Sequence, residues 1–241
     1  MLERPRRLRR NALIRNLVSE VDLKISQLIQ PYFLAEGASK TPITGFTNVF
    51  RWGVDSLSKE IERGLELGVK SFLFFGATSD ELKDEGGTIA YDPKGVLPEA
   101  LRAFRTRFGD SVILFTDVCL CPYTSHGHCG LIKGTEILND ASLEPLGKMA
   151  LVHAEAGADF VAPSDMMDGR VGFIRKMLDA NGCQDAGILS YTAKYASCYY
   201  GPCREALKSS PKGTDRASQQ MDFRNRTEAM RELELDLREG A

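Results

Sequence analysis

The chain has 241 residues, of which 43% are hydrophobic and 27% charged, values typical of a folded globular protein rather than of a disordered one. Its 31 basic and 33 acidic residues leave a formal net charge of −2, so the composition gives no indication of a nucleic-acid-binding protein. The longest apolar run, around Phe72–Phe75, is far shorter than the roughly 20 residues that span a bilayer. These values predict a soluble protein.

The first ten residues, MLERPRRLRR, contain five arginines but lead into no apolar run, so they do not form a secretory signal. We interpret them as a basic surface arm, with an organellar transit peptide as the alternative. Six cysteines in a chain without a secretory signal are expected to be reduced thiols or metal ligands rather than a disulfide framework. We therefore expect a cytoplasmic protein, or one in a plastid or other organelle.

A helical stretch, a small-residue break and a short apolar run recur along the chain. The predicted strands are residues 28–34, 69–75, 111–116, 159–163 and 187–191. The predicted helices are residues 58–67, 98–108, 142–155, 169–180 and 227–238.

Strands that alternate with helices indicate βα units and a parallel sheet, either open and doubly wound or closed as a TIM barrel. No Gly-x-Gly-x-x-Gly follows the first strand and no Walker motif occurs, which favours the barrel. Five of the eight strands of a barrel can be counted, and residues 239–241 repeat the break that precedes an earlier strand. We predict an incomplete (β/α)8 barrel over residues 28–241 and an N-terminal arm over residues 1–27.

The most specific motif is DVCLCPYTSHGHCG, which places Cys119, Cys121 and Cys129 together with two histidines in a loop directly after a strand. Thiolates are good zinc ligands, and this spacing is not that of a zinc finger or ribbon. Three ligands from one loop would leave a fourth position open for water or substrate, which is typical of a catalytic site. The alternative is a set of buried free thiols.

A lone lysine, Lys194, follows the fifth predicted strand, where a parallel barrel builds its active site. A partly desolvated lysine has a depressed pKa and can attack a carbonyl group to form a Schiff base. Asp117 and Ser164 follow two other strands and are expected at the same barrel mouth. Arg204 and Arg216 lie in a Gly/Ser/Pro-containing stretch that we interpret as a long loop, a lid over an anionic substrate or a solvated basic loop.

Seven segments make the chain resemble the delta-aminolevulinic acid dehydratase (porphobilinogen synthase) family. They are RPRRLRR, QPYFL, DVCLCPYTSHGHCG, NDASLEPLGKMA, AGADFVAPSDMMDGRVG, SYTAKYASCYYGPCREA and FRNRTEAMRE. The resemblance implies a TIM barrel whose N-terminal arm packs against neighbouring subunits, usually in a homo-octamer. It also implies the condensation of two 5-aminolevulinate molecules to porphobilinogen, an early step of tetrapyrrole and heme synthesis.

The resemblance implies that four residues are metal ligands. Cys119, Cys121 and Cys129 match the catalytic zinc ligands, which implies a zinc-dependent member of the family. Glu232 matches the ligand of an allosteric magnesium ion.

The resemblance also assigns the substrate-binding residues. Lys194 matches the first of two Schiff-base lysines, and Arg204 and Arg216 match ligands of a substrate carboxylate. Asp117 and Ser164 match supporting polar positions.

The second Schiff-base lysine of the family lies beyond the segments matched here, so we expect impaired turnover from these residues alone. A function from a different class is a non-catalytic zinc-binding remnant or assembly partner of the intact enzyme. A class I aldolase-like barrel would explain Lys194 but leave the cysteine loop without a role.

Overall fold

The computed structural model describes residues 2–37, 39–209 and 216–241, without the side chains of residues 201–204. The strands are β1 (Ile29–Ala35), β2 (Thr41–Pro42), β3 (Phe50–Trp52), β4 (Ser71–Ala77), β5 (Ile113–Val118), β6 (Ile132–Lys133), β7 (Glu136–Ile137), β8 (Phe160–Pro163) and β9 (Gly187–Ile188). The helices are α1 (Ala12–Leu17), α2 (Val54–Glu66), α3 (Val96–Phe108), α4 (Asn139–Glu155), α5 (Arg170–Ala180), α6 (Tyr200–Leu207) and α7 (Arg226–Glu239).

The main sheet has the order β2-β3-β1-β4-β5-β8-β9, and all neighbouring strands except the β2–β3 pair are parallel. From β1 onward, strands that are consecutive βα units in sequence are also neighbours in the sheet, which is the arrangement of a TIM barrel. A separate antiparallel hairpin, β6–β7, follows the cysteine loop. The predicted barrel class is therefore confirmed.

All five predicted strands are present, as β1, β4, β5, β8 and β9, with ends shifted by a few residues. Strand β3 was missed because Phe50-Arg51-Trp52 is too short to show a period, although it pairs in parallel with β1. The prediction of one long loop after Lys194 is wrong, because Tyr200–Leu207 forms α6. Pro202 lies in the first turn of this helix, where its missing N–H costs no hydrogen bond, and good helix formers follow it.

The core lies between the sheet and its helices. Strand β4 is buried on both faces, as the near-continuous run Ser71-Phe-Leu-Phe-Phe requires. On the helical side Phe74 packs against Phe104 of α3, with ring centroids 5.1 Å apart. This packing fixes the positions of the strands. It therefore also fixes the end of the sheet at which the carboxyl ends of β4, β5, β8 and β9 lie.

Residues 2–27 lie outside this core and include no buried side chain. Leu13 and Leu17 of α1 are 80% and 82% exposed. The assignment of residues 1–27 as an arm stays a prediction. None of the helices in the described parts of the chain combines the length and the hydropathy that crossing a bilayer demands.

Candidate active site

The structure brings the three predicted cysteine ligands together at the carboxyl end of β5. Cys119 follows β5 directly, and its Sγ lies 3.4 Å from the Sγ of Cys121. Cys129 returns to the same place, so that all three sulfurs lie within 4.8 Å of one another. The three side chains are 1%, 3% and 1% exposed. Among the described residues, no other group of histidine, cysteine and acidic side chains converges in this way.

Local contacts hold the loop in this closed form. Thr124 Oγ1 donates a hydrogen bond to the His128 carbonyl at 3.0 Å, which closes the turn. The N–H of Leu131 donates to Ser142 Oγ at 2.8 Å, which ties the end of the loop to α4. Gly76 of β4 leaves room for the buried Tyr123, because a methyl group at position 76 would overlap the Tyr123 hydroxyl.

The pKa values of the three thiols differ, although all three are buried in the same cluster. The pKa of Cys121 is lowered well below that of an ordinary thiol, because Cys119 and Cys129 hydrogen-bond to it and Arg216 and Lys194 lie nearby. The pKa of Cys119 is raised, first because its hydrogen bond to Cys121 favours the protonated form and then because it is buried. The cluster therefore holds one thiolate readily and further thiolates only if a cation joins it.

Lys194 reaches the same site from the segment that follows β9. Its Nζ donates a hydrogen bond to the Ser164 carbonyl at 2.6 Å and lies 5.7 Å from the ring centre of Tyr191. Burial lowers the pKa of Lys194, but the neighbouring Cys129, Cys119 and Asp117 raise it by more, so the net shift is upward. The expectation of a depressed pKa is therefore wrong for this structure, because it considered desolvation without the acidic groups, the three thiols and Asp117, that surround the amine.

Asp117, the last but one residue of β5, lies beside this lysine. Burial raises its pKa to about 7, although the charge of Lys194 and a hydrogen bond with the Ser164 side chain pull it down. Its Oδ1 is buried and has no hydrogen-bond partner among the described residues. Asp117 can therefore exchange a proton near neutral pH, which is the property of a general acid or base.

The two predicted carboxylate ligands differ in what the structure describes. Arg216 is 5% exposed, and its Nη2 donates hydrogen bonds to Ser209 O at 2.7 Å and to Gly127 O at 3.3 Å. It thus contributes positive charge beside Cys121. Arg204 belongs to α6, but its side chain lies outside the described residues.

Glu232 lies apart from the cysteines, on α7. It lines a cavity of about 480 Å³ together with Asp168, Asp222 and Glu228. Burial and then the charge of Asp168 raise the pKa of Glu232. The cavity therefore collects four carboxyl groups, but their oxygens do not form a close ligand cluster in the described structure.

Sequence reasoning missed a buried polar network beneath Lys194, built from Asp165, Arg170 and Asp236. Arg170 is 2% exposed although it is the first residue of α5. A cation at a helix N-terminus is unfavourable for the helix dipole, so its position was a signal that a tertiary partner holds it. The partner, Asp236, lies 66 residues further along the chain and gave no local signal.

Comparisons with known proteins give a consistent result over the whole chain. A family model described as delta-aminolevulinic acid dehydratase matches residues 2–241. Proteins of that name from Methanothermus sociabilis and Archaeoglobus fulgidus are 48% and 49% identical over 239 residues. Each match covers 99% of this chain and 73% of the relative.

A solved structure is similar in shape as well as in sequence. It is a crystal structure of delta-aminolevulinic acid dehydratase (porphobilinogen synthase) from Toxoplasma gondii ME49 in complex with the reaction product porphobilinogen. The TM-score is 0.95 at 44% sequence identity, and the match covers 100% of this chain and 69% of that chain.

Proposed function

Because the chain belongs to the delta-aminolevulinic acid dehydratase family, we propose that it acts as a porphobilinogen synthase. The reaction condenses two molecules of 5-aminolevulinate to porphobilinogen with loss of water. The observation that carries this proposal is the convergence of Lys194, Asp117 and three buried cysteines at one end of the sheet. A lysine amine, a proton-exchanging carboxyl group and a soft metal site together suit carbonyl condensation chemistry.

We assign the metal of Cys119, Cys121 and Cys129 as zinc. Three buried sulfur ligands within 4.8 Å of one another fit zinc, which binds thiolates at about 2.3 Å. Bound there, zinc would supply Lewis acidity and would offset the negative charge that holds Lys194 protonated. The protein contributes a loop that brings the three sulfurs within 4.8 Å of one another.

Lys194 is the nucleophile in this proposal. Its neutral amine attacks the keto carbon of one 5-aminolevulinate, a carbon–nitrogen bond forms, and the keto oxygen leaves as water to give an imine. Asp117, with its pKa near 7, is placed to accept and return the protons of this step. The Ser164 carbonyl orients the amine by accepting its hydrogen bond at 2.6 Å.

Arg216 supplies the positive charge for a substrate carboxylate, and we assign Arg204 to the same role. The buried position of Arg216 beside the cysteine loop supports the assignment, because a guanidinium group recognises carboxylates with paired hydrogen bonds. The interpretation of the stretch around these arginines as a lid stays a prediction, because residues 210–215 lie outside the described part of the chain.

We assign Glu232 as the ligand of a magnesium ion that acts away from the active site. The four carboxyl groups around its cavity support this assignment, because oxygen ligands suit magnesium, which also keeps several waters. The expected role of the ion is regulatory.

We further propose that the protein assembles as a homo-octamer through its N-terminal arm. The exposed leucines of α1 support this, because burial against another subunit removes apolar surface from water. A non-catalytic zinc-binding remnant or assembly partner is the second candidate. It is not favoured, because such a role does not require Lys194 and Asp117 beside the cysteine cluster.

The test is to trap the imine. The zinc-loaded protein is incubated with 5-aminolevulinate and sodium borohydride, and the modified peptide is identified by mass spectrometry. We expect one adduct per chain at Lys194 and none in Lys194→Arg. Lys148→Arg is the matched control, because Lys148 is a surface lysine paired with Glu144 at 2.8 Å. An adduct on a different lysine, or none in the unaltered protein, would contradict the assignment of Lys194.

A further inference from the structure

Helix α7 docks onto the rest of the protein through an acidic side chain. Of its 14 residues, Asp236 is the one that is buried, at 3% exposure. The nearby Leu233 and Leu237 are 40% and 60% exposed. A carboxylate is costly to bury unless hydrogen bonds or an opposite charge compensate it, so its partners indicate what it stabilises.

Both oxygens of Asp236 are engaged. Oδ2 accepts hydrogen bonds from Ser190 Oγ and from Thr192 Oγ1, each at 2.7 Å. Oδ1 lies 3.5 Å from Nη1 of Arg170. Ser190 and Thr192 precede Lys194 by four and two residues, so α7 holds the segment that leads into the lysine.

Arg170 extends the same network to the loop after β8. Its Nη2 donates to Ser190 Oγ at 3.0 Å, and its Nη1 donates to the Met167 carbonyl at 3.3 Å. Its Nε lies 3.9 Å from Oδ2 of Asp165, the residue next to Ser164. One network therefore holds both the segment that carries Lys194 and the loop whose Ser164 carbonyl receives its amine.

The main chain of Lys194 is also held from its other side. The Met221 N–H donates to the Lys194 carbonyl at 3.0 Å, and the Ala196 N–H donates to the Met221 carbonyl at 2.8 Å. Downstream of the lysine the contact is therefore backbone to backbone. Upstream, the Tyr191 N–H donates to the Pro163 carbonyl at 3.0 Å, and side chains add a second set of contacts in which Asp236 is the acceptor that Ser190 and Thr192 share.

We propose that Asp236 is a positioning residue for Lys194. Acting through Ser190, Thr192 and Arg170, it fixes the backbone before the lysine so that the amine points to Ser164 and the cysteine loop. It does not touch the substrate. This inference rests on the proposed function, since it concerns the rate at which Lys194 forms its imine.

The test measures the rate constant of imine formation at Lys194, by borohydride quenching at a series of times and 5-aminolevulinate concentrations. Thr192→Val removes one hydrogen bond to Asp236 at constant shape, Thr192→Ser keeps it, and Asp236→Asn removes the charge. Glu234→Gln is the matched control, because it makes the same kind of change on an exposed face of α7. Unfolding temperature and zinc content are measured for every variant.

We expect Thr192→Val and Asp236→Asn to lower the rate constant at saturating substrate by about ten- to a hundred-fold. The half-saturating substrate concentration should change by less than about two-fold, because Asp236 does not bind substrate. Thr192→Ser and Glu234→Gln should stay within about two-fold of the unaltered protein. A merely structural loss would instead lower the fraction of chains that react and leave the rate constant of the remainder unchanged.

Two results would overturn the inference, and they differ in what else they overturn. If the unaltered protein forms no adduct at Lys194, both the inference and the assigned role of Lys194 fail. If the unaltered protein reacts and Thr192→Val reacts with the same rate constant, the inference alone fails. Should Asp236→Asn not fold, the comparison of Thr192→Val with Thr192→Ser decides the question.

Discussion

Single residues at this site take their properties from their neighbours more than from their own chemistry. Cys121 and Cys119 are both fully buried thiols two positions apart, yet their pKa values shift in opposite directions. Lys194 is desolvated, yet its pKa rises because the thiols and Asp117 surround it. A residue type therefore suggests a role, and the surrounding charges decide whether that role is available.

The loss of any one thiol should weaken zinc binding at this site. We expect Cys121→Ser to lower zinc affinity by at least about a hundred-fold, because even residues that only support metal ligands contribute ten- to a hundred-fold. Metal titration with a chromogenic chelator measures the change. Cys183→Ser is the control, because Cys183 lies away from the cluster and should leave affinity unaltered. Equal zinc affinity in both variants would rule out the cysteine site.

His153 should make the protein less stable in mild acid. It is fully buried with Nδ1 3.2 Å from Thr116 Oγ1, and burial lowers its pKa from 6.5 to about 3. Between these pH values the unfolded chain binds a proton that the folded protein does not, so the free energy of unfolding falls as the pH drops below 6.5. Above pH 6.5, His153 is neutral in both states, so it does not change the pH dependence of the free energy of unfolding.

The variant His153→Gln removes this titration. Its free energy of unfolding should fall less steeply with decreasing pH than that of the unaltered protein, by up to about 1.4 kcal/mol per pH unit below pH 6.5. Urea denaturation at pH 8, 7, 6 and 5 measures both curves, and the two highest values provide the reference. Parallel curves over the acidic range would show that His153 is not protected from protonation.

At the scale of elements, the regular βα units followed from apolar runs and small-residue breaks, because central strands such as β4 are buried on both faces. The short elements could not be predicted from the sequence. β3 has three residues and no readable period, and α6 arises in a stretch rich in loop-forming residues. The contact of β4 with the cysteine loop, through Gly76 and Tyr123, also joins residues far apart in sequence.

This strand–loop contact gives a test of how the cysteine loop is held. Gly76→Ala should lower stability by about 1–3 kcal/mol, because the added methyl group overlaps the Tyr123 hydroxyl and moves the loop. Tyr123→Phe removes that hydroxyl, so the double variant should recover part of the loss. Denaturant unfolding and zinc titration of the single and double variants form a complete cycle. Strictly additive effects would show that the two residues do not meet.

At the scale of the whole molecule, the chain has a packed βα body and an N-terminal segment that touches little of it. Leu13 and Leu17 are four residues apart on α1, so they share one face of that helix. Leaving two leucines in water costs roughly 1.5–3 kcal/mol each relative to burial. The homo-octamer stays a prediction, and this face of α1 is where we expect a neighbouring subunit.

Replacing both leucines should therefore reduce the size of the assembly. We expect the unaltered protein to sediment as an octamer and Leu13→Glu/Leu17→Glu as smaller species, because charges on that face cannot be buried without partners. Sedimentation velocity at several concentrations measures the distribution. Leu67→Glu is the control, since Leu67 is 65% exposed at the end of α2 and outside the arm. An unchanged distribution in the double variant would place the contact elsewhere.

The sequence by itself determined the barrel class and the five principal strands, and it predicted that Cys119, Cys121 and Cys129 share one site, where the structure brings them together. Periodicity, small-residue breaks and the cysteine spacing are local signals in the sequence. The carboxyl ends of parallel strands lie at one end of a barrel, so residues that follow predicted strands can be assigned to that end. The tertiary structure alone decided the upward pKa shifts of Lys194 and Asp117 and the network of Arg170 and Asp236. These depend on distances between residues far apart in the chain, and both burial and Coulomb energy follow distance in space rather than separation in sequence.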